Sequence, residues 1–121
     1  MAFDFSGRVI LVTGGTKGIG RGIAQAFLKA GARVIICGRS APEMPVVCGT
    51  ATADFFPLDV RDVDAVKALF DGIATDYGRL DVLINNAGGS PNADAATASP
   101  RFHESIIRLN LIAPLHMAQM A

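Results

Sequence analysis

A strand, a glycine-rich turn and a helix follow one another near the start of this 121-residue chain, and that order constrains the fold most. The segment from Arg8 to Thr13 is largely apolar and β-branched, four glycines lie between positions 14 and 20, and a helical pattern follows. The first turn of a helix presents unpaired N–H groups and a positive dipole end to an anion. The stretch therefore predicts a phosphate-binding turn, against the alternative of an ordinary glycine turn.

The glycines of this turn have separate predicted roles. Gly14 lets the chain leave the strand, Gly18 lets the backbone approach a diphosphate, and Gly20 lets the new helix pack tightly against the sheet. The apolar residues that recur at helical spacing, and that we expect to face the sheet, are Ile19, Ile23, Ala26, Phe27 and Ala30.

Three later segments predict the rest of a parallel sheet. The apolar run at 33–37 is typical of a strand covered on both faces, and further strands are predicted at 54–58 and 80–84, although Pro57 requires a strand end, a bulge or an edge position. The crossover at 41–53 carries two prolines and a glycine, so we expect a loop or at most a short helix there. The predicted fold class is α/β, a Rossmann-type doubly wound parallel sheet with helices on both faces and the strands in spatial order third, second, first, fourth.

The end of the second strand indicates which dinucleotide would bind. An acid at this place binds the ribose hydroxyls of NAD(H), whereas the 2′-phosphate of NADP(H) requires a cation. The sequence here is Gly38-Arg39-Ser40, and Lys17 in the glycine turn offers a second positive charge. Either residue alone could be an ordinary solvated side chain, but together they favour NADP(H).

The stretch from Thr13 to Gly20 resembles the signature of the classical short-chain dehydrogenases/reductases. Asn85-Asn86-Ala87-Gly88, after the fourth strand, looks like the second motif of that family, which ties the central strands together and approaches the cofactor ribose. The resemblance further implies that Asp59 meets the adenine amino group while Val60 offers its backbone. The predicted cofactor-binding positions are Gly14, Thr16, Lys17, Gly18, Ile19, Gly20, Arg39, Ser40, Asp59, Val60, Asn86, Ala87 and Gly88.

Asn110 is the one predicted catalytic residue. It follows a Ser99-Pro100 helix start and lies amid apolar residues, so its carboxamide must find hydrogen bonds. Pro114 has no N–H, so the helix should kink and leave the Asn110 carbonyl free for a water. The resemblance implies the same, because an Asn at this place in the family completes a tetrad with Ser, Tyr and Lys and holds a water in the proton relay.

The other tetrad members are missing from these 121 residues. The single tyrosine, Tyr77, has Asp81 four residues later where the family has Lys. We therefore expect residues 1–121 to form one dinucleotide-binding domain, truncated before the second half of the fold. The resemblance implies an NADP(H)-dependent oxidoreductase acting on a small-molecule carbonyl or alcohol. The alternatives are a non-catalytic nucleotide-binding module, if the chain ends at Ala121, and a lyase or epimerase, which the glycine spacing disfavours.

Composition excludes several other classes. Basic and acidic residues balance at 11 each, which argues against nucleic-acid or anionic-membrane partners. The two cysteines, Cys37 and Cys48, have no metal-ligand spacing and predict free thiols, and we expect no metal site. The start of the chain lacks a secretory pattern, so we expect a cytoplasmic protein. The resemblance implies a homodimer or homotetramer formed through the last helix.

Overall fold

The computed structural model describes residues 2–121. In chain order the strands are β1 (Val9–Thr13), β2 (Arg33–Gly38), β3 (Val47–Cys48), β4 (Ala51–Thr52), β5 (Asp54–Pro57) and β6 (Val82–Ile84). The helices are α1 (Gly18–Lys29), α2 (Val63–Asp76), α3 (Pro100–Ile107), a π-helical segment (Arg108–Ile112) and α4 (Ala113–Met120). No helix within residues 2–121 is long and apolar enough to cross a membrane.

Four strands form one parallel sheet in the order β5-β2-β1-β6. The predicted α/β fold class is confirmed, including the reversal of winding between the first and fourth strands. All five residues of β1 are buried because the sheet carries helices on both faces. Alternate residues of β1 serve opposite cores: Ile10 packs with the α1 side and Leu11 with the α2 and α4 side. Pro57 ends the edge strand β5, where its missing N–H costs no ladder bond.

The crossover between β2 and β5 differs from the prediction. Residues 41–53, expected to form a loop or a short helix, contain the two-stranded antiparallel hairpin β3-β4. Gly49, with φ +60°, lies in the turn of this hairpin, and Val46 beside it is 1% exposed. Of the predicted breakers only Gly49 lies in the hairpin turn, since Pro42 and Pro45 precede β3, and the hairpin packs on the α1 side of the sheet.

The inward face of α1 was predicted wrongly at two positions. Ile19 is 79% exposed and Ala26 is also exposed, whereas the buried residues of the helix are Gly20, Ala24 and Leu28. The error has a physical cause, since the inward face of the helix begins at Gly20, which is buried although it has no side chain. A helical face predicted from the large apolar residues alone leaves Gly20 out.

The last helical region carries the irregularity expected near Pro114, in a specific form. Residues Arg108–Ile112 are π-helical, and the Ala113 N–H donates to the Arg108 carbonyl five residues earlier. Inserting a residue in this way accommodates a proline that cannot donate to the Asn110 carbonyl. The predicted water on that carbonyl stays a prediction.

Candidate functional site

A groove of about 920 Å³ lies at the carboxyl edge of the sheet, where β1, β2, β5 and β6 end. This edge is where open parallel sheets bind their ligands. The predicted site residues that line the groove are Gly14, Thr16, Lys17, Gly18, Arg39, Ser40, Asp59, Val60, Asn86, Ala87 and Gly88. The predicted positions that do not line it are Ile19, Gly20 and Asn110.

The glycine turn forms one end of the groove, and its three key glycines meet different surroundings. Gly14 has φ +64° and Gly18 has φ +58°, a conformation that favours glycine. A Cβ on Gly18 would meet nothing within 4 Å, so this part of the turn faces open space. A Cβ on Gly20 would lie 2.2 Å from the Gly14 carbonyl oxygen and 2.4 Å from Asn86 Nδ2. Gly20 is therefore required by the turn and by Asn86 rather than by the sheet.

Thr13 joins the glycine turn to the segment after β6. Its side chain is buried, and Oγ1 accepts from the backbone N–H groups of Asn86 at 3.0 Å and Ala87 at 2.9 Å. Asn86 Nδ2 donates in turn to the Gly14 carbonyl at 3.1 Å. The two segments that resemble family motifs are thus locked together at the winding reversal, as the resemblance implied for the central strands.

The other end of the groove is built from side chains. Arg39 and Ser40 follow β2 and are exposed, and Lys17 is exposed in the glycine turn. Neither Lys17 nor Arg39 forms an ion pair with any residue from 2 to 121. Two cations that line one groove and have no ion-pair partner within residues 2–121 can attract a phosphate dianion.

Asp59 lies at this end with a partner that the sequence analysis did not consider. Arg61 donates to both carboxylate oxygens, from Nε to Oδ1 at 3.0 Å and from Nη2 to Oδ2 at 2.8 Å, and its backbone N–H also reaches Oδ1. The Arg61 hydrogen bond holds the pKa of Asp59 below its usual value, so the carboxylate stays charged. Arg61 also donates to Ser105 Oγ on α3 at 3.2 Å. Asp59 is therefore oriented before any ligand arrives.

Asn110 fixes the loop after β6 instead of lining the groove. Its Oδ1 accepts from the Gly89 N–H at 2.8 Å and its Nδ2 donates to the Gly89 carbonyl at 2.8 Å. Nδ2 also donates to the Ile106 carbonyl at 3.0 Å. The hydrogen bonds that its carboxamide requires are thus supplied by the backbone beside Gly88.

Sequence reasoning missed three residues that hold this site together: Thr13, Arg21 and Arg61. Thr13 was predicted only as the residue that precedes the glycine turn, and a hydroxyl at that position is the signal that the sequence offers. Arg21 and Arg61 also line the groove, but a cation in a helix or a turn has no sequence pattern that separates it from a solvated side chain. Cys37 lines the groove as well, and burial raises the pKa of its thiol to about 12, so the thiol stays neutral.

Tyr77 lies away from the groove. Its hydroxyl donates to the Asp54 carboxylate, and the Arg33 guanidinium lies 4.4 Å from its ring centroid. Burial, followed by the Asp54 hydrogen bond, raises the pKa of Tyr77 to about 12. These contacts give Tyr77 a structural role at the β2 and β5 side of the sheet.

The groove has the chemistry that a phosphorylated dinucleotide needs. The open space at Gly18 and the start of the 12-residue helix α1 suit a diphosphate, while Lys17 and Arg39 suit a further phosphate. Asp59 supplies a carboxylate at the Arg39 end, and Asn86 supplies a carboxamide beside the glycine turn. The residues present therefore fit the predicted cofactor, although their individual roles stay predictions.

Comparison with known proteins identifies one family that matches nearly the whole chain. A family model described as short chain dehydrogenase matches residues 8–121. A short chain dehydrogenase/reductase of Colletotrichum higginsianum is 37% identical over 124 residues, which cover 96% of this chain and 46% of that protein. The D-threitol dehydrogenase of Mycolicibacterium smegmatis is 35% identical, with 97% of this chain and 48% of that protein covered.

A solved structure is also similar. A metagenomic short-chain oxidoreductase in complex with NADP is 34% identical, with a TM-score of 0.86, covering 95% of this chain and 55% of that one. The chain spans about half the length of the curated relatives named above.

Proposed function

The chain belongs to the short chain dehydrogenase family, and from this premise we propose that it is the cofactor-binding part of an NADP(H)-dependent oxidoreductase. The observation that carries the proposal is the pairing, in one groove, of an open glycine turn with two cations that lack an ion-pair partner within residues 2–121. The similar oxidoreductase that binds NADP supports the choice of cofactor.

We assign the diphosphate to the backbone of the glycine turn and to the first N–H groups of α1. A helix start stabilises an anion by its dipole and its unpaired donors, and Gly18 leaves space for close approach. The Arg39 guanidinium and the Lys17 ammonium would bind the 2′-phosphate, with the Ser40 hydroxyl beside them. Asp59 would accept from the adenine amino group, with the Val60 backbone as its neighbour.

The cofactor, when bound, supplies or accepts a hydride at its nicotinamide ring. Asn86, Ala87 and Gly88 would border the ribose between the two ends of the groove. Asn110 would hold a water through its main-chain carbonyl, since Pro114 offers no N–H to that oxygen. The Ser, Tyr and Lys of the family tetrad would have to come from chain beyond these 121 residues, so we propose that residues 1–121 are one domain of a longer protein.

The substrate class we propose is a small carbonyl compound or alcohol. The relative named for D-threitol supports an alcohol, without selecting one for this chain. A homodimer or homotetramer is part of the same proposal. It is supported by three exposed apolar residues spaced four apart along α3, the π-helical segment and α4: Ile107 at 51%, Leu111 at 57% and Leu115 at 61%. The cytoplasmic location stays a prediction.

Calorimetric titration of the full-length protein with NADPH and with NADH tests the cofactor assignment. The wild type should prefer NADPH, and Arg39→Ala should weaken NADPH binding by roughly tenfold or more, since a hydrogen bond to a charged group contributes about 1.5–3 kcal/mol. NADH binding should change less than about threefold, because NADH lacks the 2′-phosphate.

Arg79→Ala is the matched control, because Arg79 is an exposed arginine that pairs with Asp81 outside the groove. It should leave both affinities unchanged. Equal losses of NADPH and NADH affinity in Arg39→Ala would contradict the proposed contact between Arg39 and the 2′-phosphate. Failure of the folded wild type to bind either nucleotide would remove the proposed function.

A further inference from the structure

Arg21 connects two segments of the groove that are far apart in sequence. It lies in the first turn of α1 and donates from Nη1 to the Met44 carbonyl at 2.8 Å and from Nη2 to the Pro45 carbonyl at 2.9 Å. A longer contact runs from Nη1 to the Thr16 carbonyl at 3.4 Å. The planar guanidinium therefore bridges the glycine turn and the chain that follows β2.

The segment that Arg21 holds, residues 39–45, has neither helix nor strand. No backbone ladder fixes its position, so its order depends on side-chain contacts such as this one. The segment begins with Arg39 and Ser40. It ends with Met44 and Pro45, whose carbonyls accept from Arg21. Lys17 adjoins Thr16 at the other side of the bridge. The two cations assigned to the 2′-phosphate thus lie on the two segments that Arg21 joins.

The partners of Arg21 are neutral. Its three contacts go to carbonyl oxygens, and it forms no ion pair with a residue in the 2–121 range. A lysine could not reproduce this bridge, because a single ammonium lacks the planar set of donors that reaches two carbonyls at once.

We propose that Arg21 is a positioning residue for cofactor choice: by fixing residues 39–45 against the glycine turn, it holds Arg39 where a 2′-phosphate would be bound. This inference rests on the proposed function. Arg21 touches backbone rather than cofactor, so it acts through Arg39. Its removal should therefore reduce the preference for NADPH over NADH only while Arg39 is present.

A double-mutant cycle on the full-length protein tests this, with NADPH and NADH affinities measured by calorimetry for Arg21→Ala, Arg39→Ala and the double variant. Arg21→Ala should reduce the NADPH preference roughly three- to tenfold. In the Arg39→Ala background the same change should alter the preference less than about twofold. Arg21→Lys should recover only part of the loss.

Two further measurements separate positioning from general stability. Hydrogen exchange of the ligand-free protein should be faster in residues 39–45 of Arg21→Ala and unchanged in β1. Gln25→Ala is the matched control, since Gln25 lies one turn further along α1 and makes a longer contact, 3.4 Å, to the Val47 carbonyl in the hairpin. It should keep the wild-type preference for NADPH.

Several outcomes would overturn the inference. A fall in preference of the same size with and without Arg39 would make Arg21 a direct phosphate ligand. A lower melting temperature with unchanged preference and unchanged exchange in residues 39–45 would make it only a stabilising residue. A wild type without any preference for NADPH refutes the proposed cofactor itself, and is recognised before any variant is made.

Discussion

The two ends of the groove are built by different means. At the glycine end the backbone is closely packed except at Gly18: Thr13 is buried, and a Cβ would lie 2.4 Å from Asn86 Nδ2 on Gly20 and 3.0 Å from it on Gly14. At the other end, where we propose that the adenosine part of the cofactor binds and which we call the adenosine end, Arg39 and Ser40 are exposed on a segment without regular structure. The first end is shaped by backbone, which cannot move without disturbing the sheet. The second end is shaped by side chains, which can move without disturbing it.

This difference separates two tasks. A diphosphate is common to every dinucleotide, so a rigid backbone turn serves it without regard to which cofactor is used. Discrimination between NADP(H) and NAD(H) depends on one phosphate and can be set by a few charges on an adaptable segment. We therefore expect substitutions at the glycine end to affect stability and all nucleotide binding, and those at the adenosine end to affect selectivity with little effect on stability.

The largest effect is expected from Gly20→Ala. Its new methyl group would lie 2.2 Å from the Gly14 carbonyl oxygen, which is backbone that can yield only if the turn moves. We expect a loss of about 3 kcal/mol in the free energy of unfolding, measured by urea denaturation, together with weaker binding of both NADPH and NADH. The matched control is Gly22→Ala in the same helix, where a Cβ meets nothing within 4 Å. It should gain about 0.5–1 kcal/mol, and a similar loss in both variants would contradict the steric argument.

A smaller loss of stability is expected from Thr13→Val. The change keeps the shape of the side chain but leaves the N–H groups of Asn86 and Ala87 without their acceptor. Loss of these bonds in a partly buried site should cost about 1–3 kcal/mol in the free energy of unfolding. Thr13→Ser, which retains the hydroxyl, should lose clearly less. Thr75→Val on the exposed face of α2 should change stability by less than about 0.5 kcal/mol.

The smallest effect is expected at the adenosine end, from Arg61→Met. The Asp59 side chain is 34% exposed, so solvent screens the ion pair and its loss should cost about 0.5–1 kcal/mol at pH 7. Arg61 lowers the pKa of Asp59 below its unfolded value, so the stabilisation is fully present above that unfolded value of about 3.9. It is lost as the pH falls through the folded-state pKa.

Urea unfolding of wild type and Arg61→Met between pH 7 and pH 3 checks this dependence. The difference between the two proteins should shrink below about pH 4. Lys67→Met, which breaks the exposed pair with Asp71 on α2, should cost less than about 0.5 kcal/mol at pH 7. A difference for Arg61→Met that is as large at pH 3 as at pH 7 would show that the Asp59 charge is not its cause.

The sequence predicted the glycine end of the site better than the adenosine end. A backbone that must turn, approach an anion and start a helix requires glycines at fixed positions, so Gly14, Gly18 and Gly20 were identifiable. The sheet order was predicted separately, from the sequence of strands and helices. The hairpin at 47–52 was missed because its strands are two residues long and carry no period. The face of α1 was misjudged because Gly20, which begins the buried face, has no side chain.

The arginine contacts were beyond sequence reasoning for another reason. Arg21 bonds to carbonyls 23 and 24 residues away, and Arg61 reaches Ser105 44 residues away. Backbone carbonyls are present in every residue, so nothing in the sequence marks which ones an arginine will reach. Asn110 was partly predictable. A carboxamide among apolar residues indicated that it needs hydrogen-bond partners, but the sequence did not indicate that the Gly89 backbone would supply them.

The bond from the Asn86 N–H to the Thr13 hydroxyl joins residues 73 positions apart. Closing so long a loop is slow compared with forming a helix or a hairpin, and in a chain made from its N-terminus Asn86 emerges well after Thr13. The turn after β1 can exist early as a local structure, but it gains these donors only when β6 has joined the sheet. We therefore expect nucleotide binding at this turn only in molecules in which β6 has already joined the sheet.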